Sequence, residues 1–217
     1  MIDIIDAEKK YSSDFTLKIG GLHIDKGSRV ALVGANGSGK STLLKLIAGV
    51  IRPDSGRVIN NAAKTGYSPQ SPYAFGRSVE KNITLAADKN ADINEILEVC
   101  ELTALKNKTP DRLSGGEKQR MFLARMLAGN YPLLLLDEPL SAVDIETGIR
   151  LGELIKSYCE KNGTTLLIST HVPSQALGIC SEVIIMNRGE IAEYSSADAL
   201  KTPSTEFGRL FTQQWRL

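Results

Sequence analysis

"RVALVGANGSGKSTLLKLIAG", residues 29–49, decides the fold. A short apolar run leads into a glycine-rich loop, and "KSTLLKLIAGV" leaves it with leucines at helical spacing. Gly34 to Thr42, "GANGSGKST", fits G-x-x-x-x-G-K-[ST] at every position, between a strand and a helix as that pattern requires. Gly34, Gly37 and Gly39 let the backbone curl, so that the loop they share with Ala35, Asn36, Ser38 and Thr42 turns its N–H groups toward phosphates. Lys40 then reaches the β- and γ-phosphates, and the Ser41 hydroxyl ligates Mg²⁺. The competing reading is a plain glycine turn into a helix. The Lys40–Ser41 pair in its strand–helix context favours a nucleoside triphosphate.

Working outward, "MIDIIDA" and "FTLKIG" alternate and read as antiparallel strands at an N-terminal edge. "PDSG" at 53–56 is a turn before a strand through "RVIN". From about Pro72 to Asn130 only helical patterns appear, over Ser78–Ala87, Asp92–Cys100 and Gly115–Gly129. Strands resume with "PLLLLD", "TTLLIST" and "EVIIMN", separated by helices at 145–161 and 173–180. "NRG" turns the last of them into "EIAEY", and two short helices finish the chain. Strand–helix alternation with continuous apolar strands marks a parallel sheet covered on both faces. The fold class is therefore α/β: a P-loop NTPase core with a mostly parallel sheet and an N-terminal antiparallel part. An all-helical lobe at about 72–130 is inserted in that single domain of 1–217.

Composition narrows the function. The 217 residues suit one core, and 26 basic against 25 acidic residues give a formal charge of +1. That balance excludes a general nucleic-acid surface. No apolar stretch is long enough to span a bilayer, and "MIDIIDAEKK" reads as no secretory signal. Cys100, Cys159 and Cys180 are widely spaced with no C-x-x-C pair, as buried reduced thiols of a cytosolic protein would be.

Ligands bind at the carboxyl ends of strands in such sheets, and three strands deliver polar groups there. "RVALV" ends in the Gly34 loop. "LLLL" ends in Asp137, a fit for the Mg²⁺-side carboxylate, and Glu138, which could take a proton from attacking water. "TTLLIST" ends in His171. Adjacent carboxylates can also merely finish a strand, and a lone histidine is often structural. His23, in the N-terminal strands, reads as structural.

"LSGGEKQR" at 113–120 resembles the signature motif of the ATP-binding-cassette (ABC) ATPases. The family's order is kept over essentially the whole chain: P-loop, Gln70, signature, Asp137–Glu138, "SAVD" at 141–144 and His171. The resemblance implies that two cassettes pair head to tail around ATP and Mg²⁺. Ser114, Gly115 and Gly116 would then meet the γ-phosphate held by the second copy; without it they are an ordinary helix start. Tyr11 matches the aromatic that stacks on adenine, or else is a half-exposed strand tyrosine. Gln70 matches the Q-loop glutamine that contacts Mg²⁺ and the water. Asp144 matches the aspartate that crosses the dimer interface, with Val143 for the usual leucine. His171 matches the histidine that senses the γ-phosphate. The resemblance assigns catalysis to Glu138, His171, Gln70 and Lys40, and the metal to Ser41, Gln70 and Asp137.

ABC ATPases of this size imply an ATP-hydrolysing subunit at the cytoplasmic face of the membrane, held there by separate permease subunits. "SPYAFGRSVEKNI" resembles the region after the Q-loop in cassettes of small-solute importers, oxyanion systems included. A solute-binding protein would accompany an importer. An exporter subunit and a soluble ABC ATPase of cofactor assembly stay open. With no long coiled coil and one cassette, DNA-repair and translation roles are not expected. Nor is feedback through an added C-terminal domain.

Overall fold

Two sheets organise the chain in the computed structural model, which describes residues 1–11, 15–141, 143–172, 174 and 177–215. β1 (Ile2–Lys10), β2 (Thr16–Ile24) and β4 (Ser55–Asn60) form an antiparallel sheet in the order β2-β1-β4. Its alternating residues Ile2, Ile4, Leu17, Ile19, Leu22 and Ile24 are buried on one face. The second sheet contains β3 (Arg29–Val33), β5 (Thr65–Ser68), β6 (Leu133–Asp137), β7 (Thr165–Thr170), β8 (Glu182–Asn187) and β9 (Glu190–Ser196). Its order is β5-β6-β7-β3-β8-β9, parallel throughout except for β9, which runs antiparallel to β8. Every residue of β6 and β7 is buried, as continuous apolar runs in a doubly covered sheet must be.

The helices are α1 (Lys40–Ile47), α2 (Val79–Thr84), α3 (Ile93–Val99), α4 (Gly115–Ala128), α5 (Ile145–Asn162) and α6 (Glu206–Trp215). Side chains set several of their starts. Ser78, Asp92, Ser114 and Asp144 each accept a backbone N–H at the N-cap of α2, α3, α4 and α5. Gly163, at φ 62°, ends α5.

Two differences from the sequence reading appear. β5 was not expected, because "TGYS" is too short to display a period. α2 stops at Thr84, before Ala87. The helix expected over 173–180 lies partly outside the described residues, at 173, 175 and 176. Between β5 and β6 the described chain is helical, and its apolar residues Val79, Ile83, Leu97, Met121 and Leu127 share one cluster with Leu134, Leu136 and Ile168 of the sheet. Helices and sheet are thereby tied into one core.

What positions the site is strand order. β6, β7 and β3 are consecutive and parallel, so their carboxyl ends open at one edge.

Candidate nucleotide site

At that edge a cleft of about 800 Å³ is lined by the loop and start of α1 on one side and by Gln70, Glu138, Ser141 and His171 on the other. The loop's shape demands glycine. Gly34 has φ 152°, and a Cβ there would lie 2.4 Å from the Met186 carbonyl oxygen; Gly39 has φ 108°, with Leu17 Cδ1 at 2.8 Å from the same position. The Gly189 N–H donates to the Ser38 carbonyl at 2.9 Å, propping the loop from the β8–β9 turn.

Lys40 is buried, and its Nζ donates to the carbonyls of Gly34 (2.8 Å) and Ala35 (3.0 Å). Burial lowers its pKa below the usual lysine value, while the nearby Glu138 and Asp137 oppose that shift. A cation in this position gains by meeting a multiply charged phosphate.

The facing wall is carboxylate. Asp137, the last residue of β6, is 3 % exposed, and its Oδ1 accepts from Ser169 Oγ at 2.6 Å. Glu138 follows at φ 50°, a left-handed conformation unusual for a non-glycine residue. Its N–H bonds Ser169 Oγ at 2.9 Å, and Ser141 Oγ donates to its carbonyl at 3.0 Å. Gln119, on α4, donates to the carbonyl of Pro139 next along. The backbone is thus gripped on both sides of Glu138, and its side chain turns to the cleft. There Gln70 Nε2 donates to Glu138 Oε2 at 3.1 Å, and His171 Nδ1 lies 3.3 Å from the same oxygen. Three residues far apart in sequence meet on one carboxylate oxygen.

Ser114, Gly115 and Gly116 do not line this cleft. Ser114 caps α4 in a capping box with Glu117: Glu117 N–H donates to Ser114 Oγ (3.2 Å), and Ser114 N–H to Glu117 Oε2 (2.7 Å). Gly115 and Gly116 are the first helical residues, so their N–H groups have no intrahelical acceptor. Asp144 caps α5, accepting Thr147 N–H at 2.9 Å and Thr147 Oγ1 at 2.8 Å; those two bonds hold its carboxyl below the usual range.

Residues 17–141 match the family model described as "ABC transporter". The chain belongs to the ABC transporter family. The match takes in the P-loop, Gln70, the signature and Asp137–Glu138, while Asp144 and His171 lie beyond it. Among curated proteins, the cassette is 34 % identical to the sulfate/thiosulfate import ATP-binding protein of Synechococcus elongatus, over 95 % of this chain and 66 % of that one. It is 38 % identical to the aliphatic sulfonates import ATP-binding protein of Zymomonas mobilis, over 88 % of this chain and 83 % of that one. The cassette thus spans just under two thirds of the Synechococcus relative. A solved ATP-binding cassette, a dimer in a post-hydrolysis state bound to ADP and Pi, superposes with a TM-score of 0.80 at 26 % identity, covering 91 % of this chain and 99 % of that one.

The aromatic side of the cassette's cleft differs from the expectation in one detail. Phe15, not Tyr11, lines the cleft; Tyr11 is 55 % exposed, with its ring centroid 6.4 Å from that of Phe15. The stretch "YSSDF" offers both rings, and sequence reasoning weighed only the first. Ser169, Ser141 and Gln119 were also missed. Serine and glutamine in a strand, turn or helix give no local signal of what they will touch.

A magnesium ion suits the donors available. The Ser41 hydroxyl, the Gln70 amide and the buried Asp137 carboxylate are hard oxygen ligands flanking a phosphate-binding loop. Among the described residues no group of three or more His, Cys, Asp or Glu forms a closed metal cage. Mg²⁺ does not need one, because it keeps waters and takes its remaining oxygens from substrate phosphates.

Proposed function

We propose that this cassette hydrolyses ATP to drive the import of a small anionic solute through separate permease subunits. The observation that carries the reading is the junction of Gln70, Glu138 and His171 on one oxygen, facing a P-loop whose lysine is already buried and aimed inward. Lys40 and the loop N–H groups bind and orient the β- and γ-phosphates. Ser41, Gln70 and Asp137 would hold Mg²⁺, which would neutralise charge on the phosphates. Glu138 takes the proton of the attacking water, and Gln70 and His171 fix the direction of its carboxylate. Phe15, with Tyr11 beside it, provides the apolar surface for the base, a contact worth about 1–3 kcal/mol.

The signature completes a second copy's site. Ser114–Gly116 do not line the chain's own cleft, and the solved relative is itself a dimer. ATP therefore works by population shift, favouring the closed pair because only that state uses both halves of each site. The permease meets the loop before α2. Tyr73 there is 71 % exposed and Phe75 is 40 % exposed. The fully buried Asn82 amide holds that loop through the carbonyls of Phe75, Arg77 and Ser78, and Arg125 pins Tyr73 O at 2.9 Å.

The relatives named for sulfate, thiosulfate and aliphatic sulfonates favour a sulfur oxyanion as solute, delivered by a solute-binding protein, with the cassette at the cytoplasmic face of the membrane. Uptake of radiolabelled sulfate and of an alkanesulfonate is measured in cells with and without the gene. Loss of uptake of one anion, restored by the wild-type gene and not by Lys40→Ala, is the expected result. Unchanged uptake of both anions, with accumulation of an internal solute instead, would make the subunit an exporter's.

A further inference from the structure

Ser169 sits in the middle of the carboxylate wall without reaching the cleft. It is 0 % exposed, on β7, in register with Asp137 of β6. One hydroxyl makes two bonds there, to Asp137 Oδ1 at 2.6 Å and to the Glu138 N–H at 2.9 Å. An ionised carboxylate can only accept and an N–H can only donate, so the direction is fixed. The hydroxyl proton goes to Asp137, and a lone pair of the same oxygen takes the amide of Glu138. Each bond polarises the other.

We propose that Ser169 is a positioning residue of the ATPase, one hydroxyl setting the angle of the Asp137 carboxylate and the left-handed backbone of Glu138 together. The proposal rests on the roles assigned above to those two carboxyl groups. Its chemistry is that of an outer-sphere partner. By occupying Oδ1, Ser169 leaves Asp137 its second oxygen for Mg²⁺ or a metal-bound water. By holding the Glu138 amide, it secures a residue at φ 50° whose carboxylate must meet Gln70 and His171. The Glu138 N–H is shared with the Ser169 backbone carbonyl at 3.2 Å, so the hydroxyl is the part of this grip that also reaches the Asp137 carboxylate.

The test uses the full chain in three forms: wild type, Ser169→Ala and Ser169→Thr. Outer-sphere partners of metal ligands are typically worth about 10–100-fold in metal affinity or activity. Ser169→Ala should therefore lower kcat by about tenfold with the KM for ATP nearly unchanged. Calorimetric titration of ADP at stepped Mg²⁺ should require about tenfold more Mg²⁺ for the same enhancement, while ADP binding in EDTA is unaltered. Ser169→Thr keeps the hydroxyl and should restore both quantities. A wild-type magnesium requirement in Ser169→Ala would overturn the proposal, and so would a folded Ser169→Thr that behaves like the alanine variant. The magnesium titration of Ser169→Ala decides the matter even where threonine does not fit the buried strand. Glu138→Gln, assayed alongside, separates the two levels. If it is inactive and Ser169→Ala is normal, Ser169 alone is misassigned; if it turns over normally, the role of Glu138 falls, and the rate argument for Ser169 with it.

Discussion

Gly34 and Gly116 both stand in stretches proposed to bind phosphate, but only the first lies beside the chain's own cleft. At Gly34 the backbone has φ 152° and a side chain would strike the Met186 carbonyl, so the fold itself requires glycine. At Gly116 no left-handed conformation is involved, and among the described residues a Cβ would meet only Val143 Cγ1, at an ordinary 3.9 Å. Nothing among the described residues requires glycine there, which suits a close approach to the backbone from outside the chain. The P-loop is likewise finished inside the chain, with Lys40 and Glu138 facing across one cleft. The signature is finished only as a helix cap. One region is a built half-site, and the other is proposed to be the half that a second copy borrows.

The largest expected effect falls on the built half. Lys40→Ala, or Glu138→Gln, should cut ATP turnover by at least about 10²-fold, the lower end of what a general base contributes. Of the two, only Lys40→Ala should weaken ATP binding as well. Phosphate release and equilibrium nucleotide binding check this, and near-normal turnover in either variant breaks the assignment. Gly34→Ala against Gly116→Ala sharpens the contrast. The first should lose both stability and ATP binding. The second should keep its melting temperature and its ATP binding yet lose hydrolysis by about tenfold, a barrier increase of about 1.4 kcal/mol, because the added methyl stands where the partner's phosphate would approach the backbone. Equal melting losses in both would remove the argument from glycine.

A smaller effect is expected in the helical region. Reversing the charges of Arg77 and Glu80 should lower solute uptake by severalfold and leave the isolated subunit's ATPase intact. Unchanged uptake would put the permease contact elsewhere than the end of the loop before α2 and the first turn of that helix.

The smallest effect concerns His23, on the antiparallel sheet, whose Nδ1 lies 2.5 Å from Asp3 Oδ1 and Nε2 3.2 Å from Asp25 Oδ1. The bond to Asp3, and then that to Asp25, raises its pKa above the ordinary 6.5. A raised pKa stabilises the fold fully below the unfolded value and loses that contribution as pH rises through the folded value. The melting-temperature gap between wild type and Asp3→Asn should therefore be open at pH 6 and shrink above neutrality. His23 lies in a different sheet from the nucleotide cleft, so ATPase activity should not follow this titration.

Much of this was legible in the sequence because its signals are local. "RVALVGANGSGKST" carries strand, loop and helix within fourteen residues, and "LLLLDEP" announces a buried strand ending in carboxylates. The identities of Gln70 and His171 came from motif order; their meeting at Glu138 Oε2 needed the strand order β5-β6-β7, which no local pattern displays. Ser169 was unreadable for the same reason: its hydroxyl matters only because the register sets it opposite Asp137. Phe15 was passed over because "YSSDF" presents two aromatics and nothing local says which ring turns toward the cleft. β5 failed because four residues carry no period.

The central claim is that each nucleotide is held by the P-loop of one copy and the signature of another. Size-exclusion chromatography of Glu138→Gln, with and without ATP and with bound nucleotide counted in each peak, tests it most directly. The account predicts a monomer without ATP and a dimer with two ATP molecules when ATP is present. Adding Ser114→Arg sets a bulky cation at the cap of α4; the dimer should disappear while the monomer still binds one ATP. An ATP-dependent dimer that forms equally well with arginine at position 114 would contradict the account.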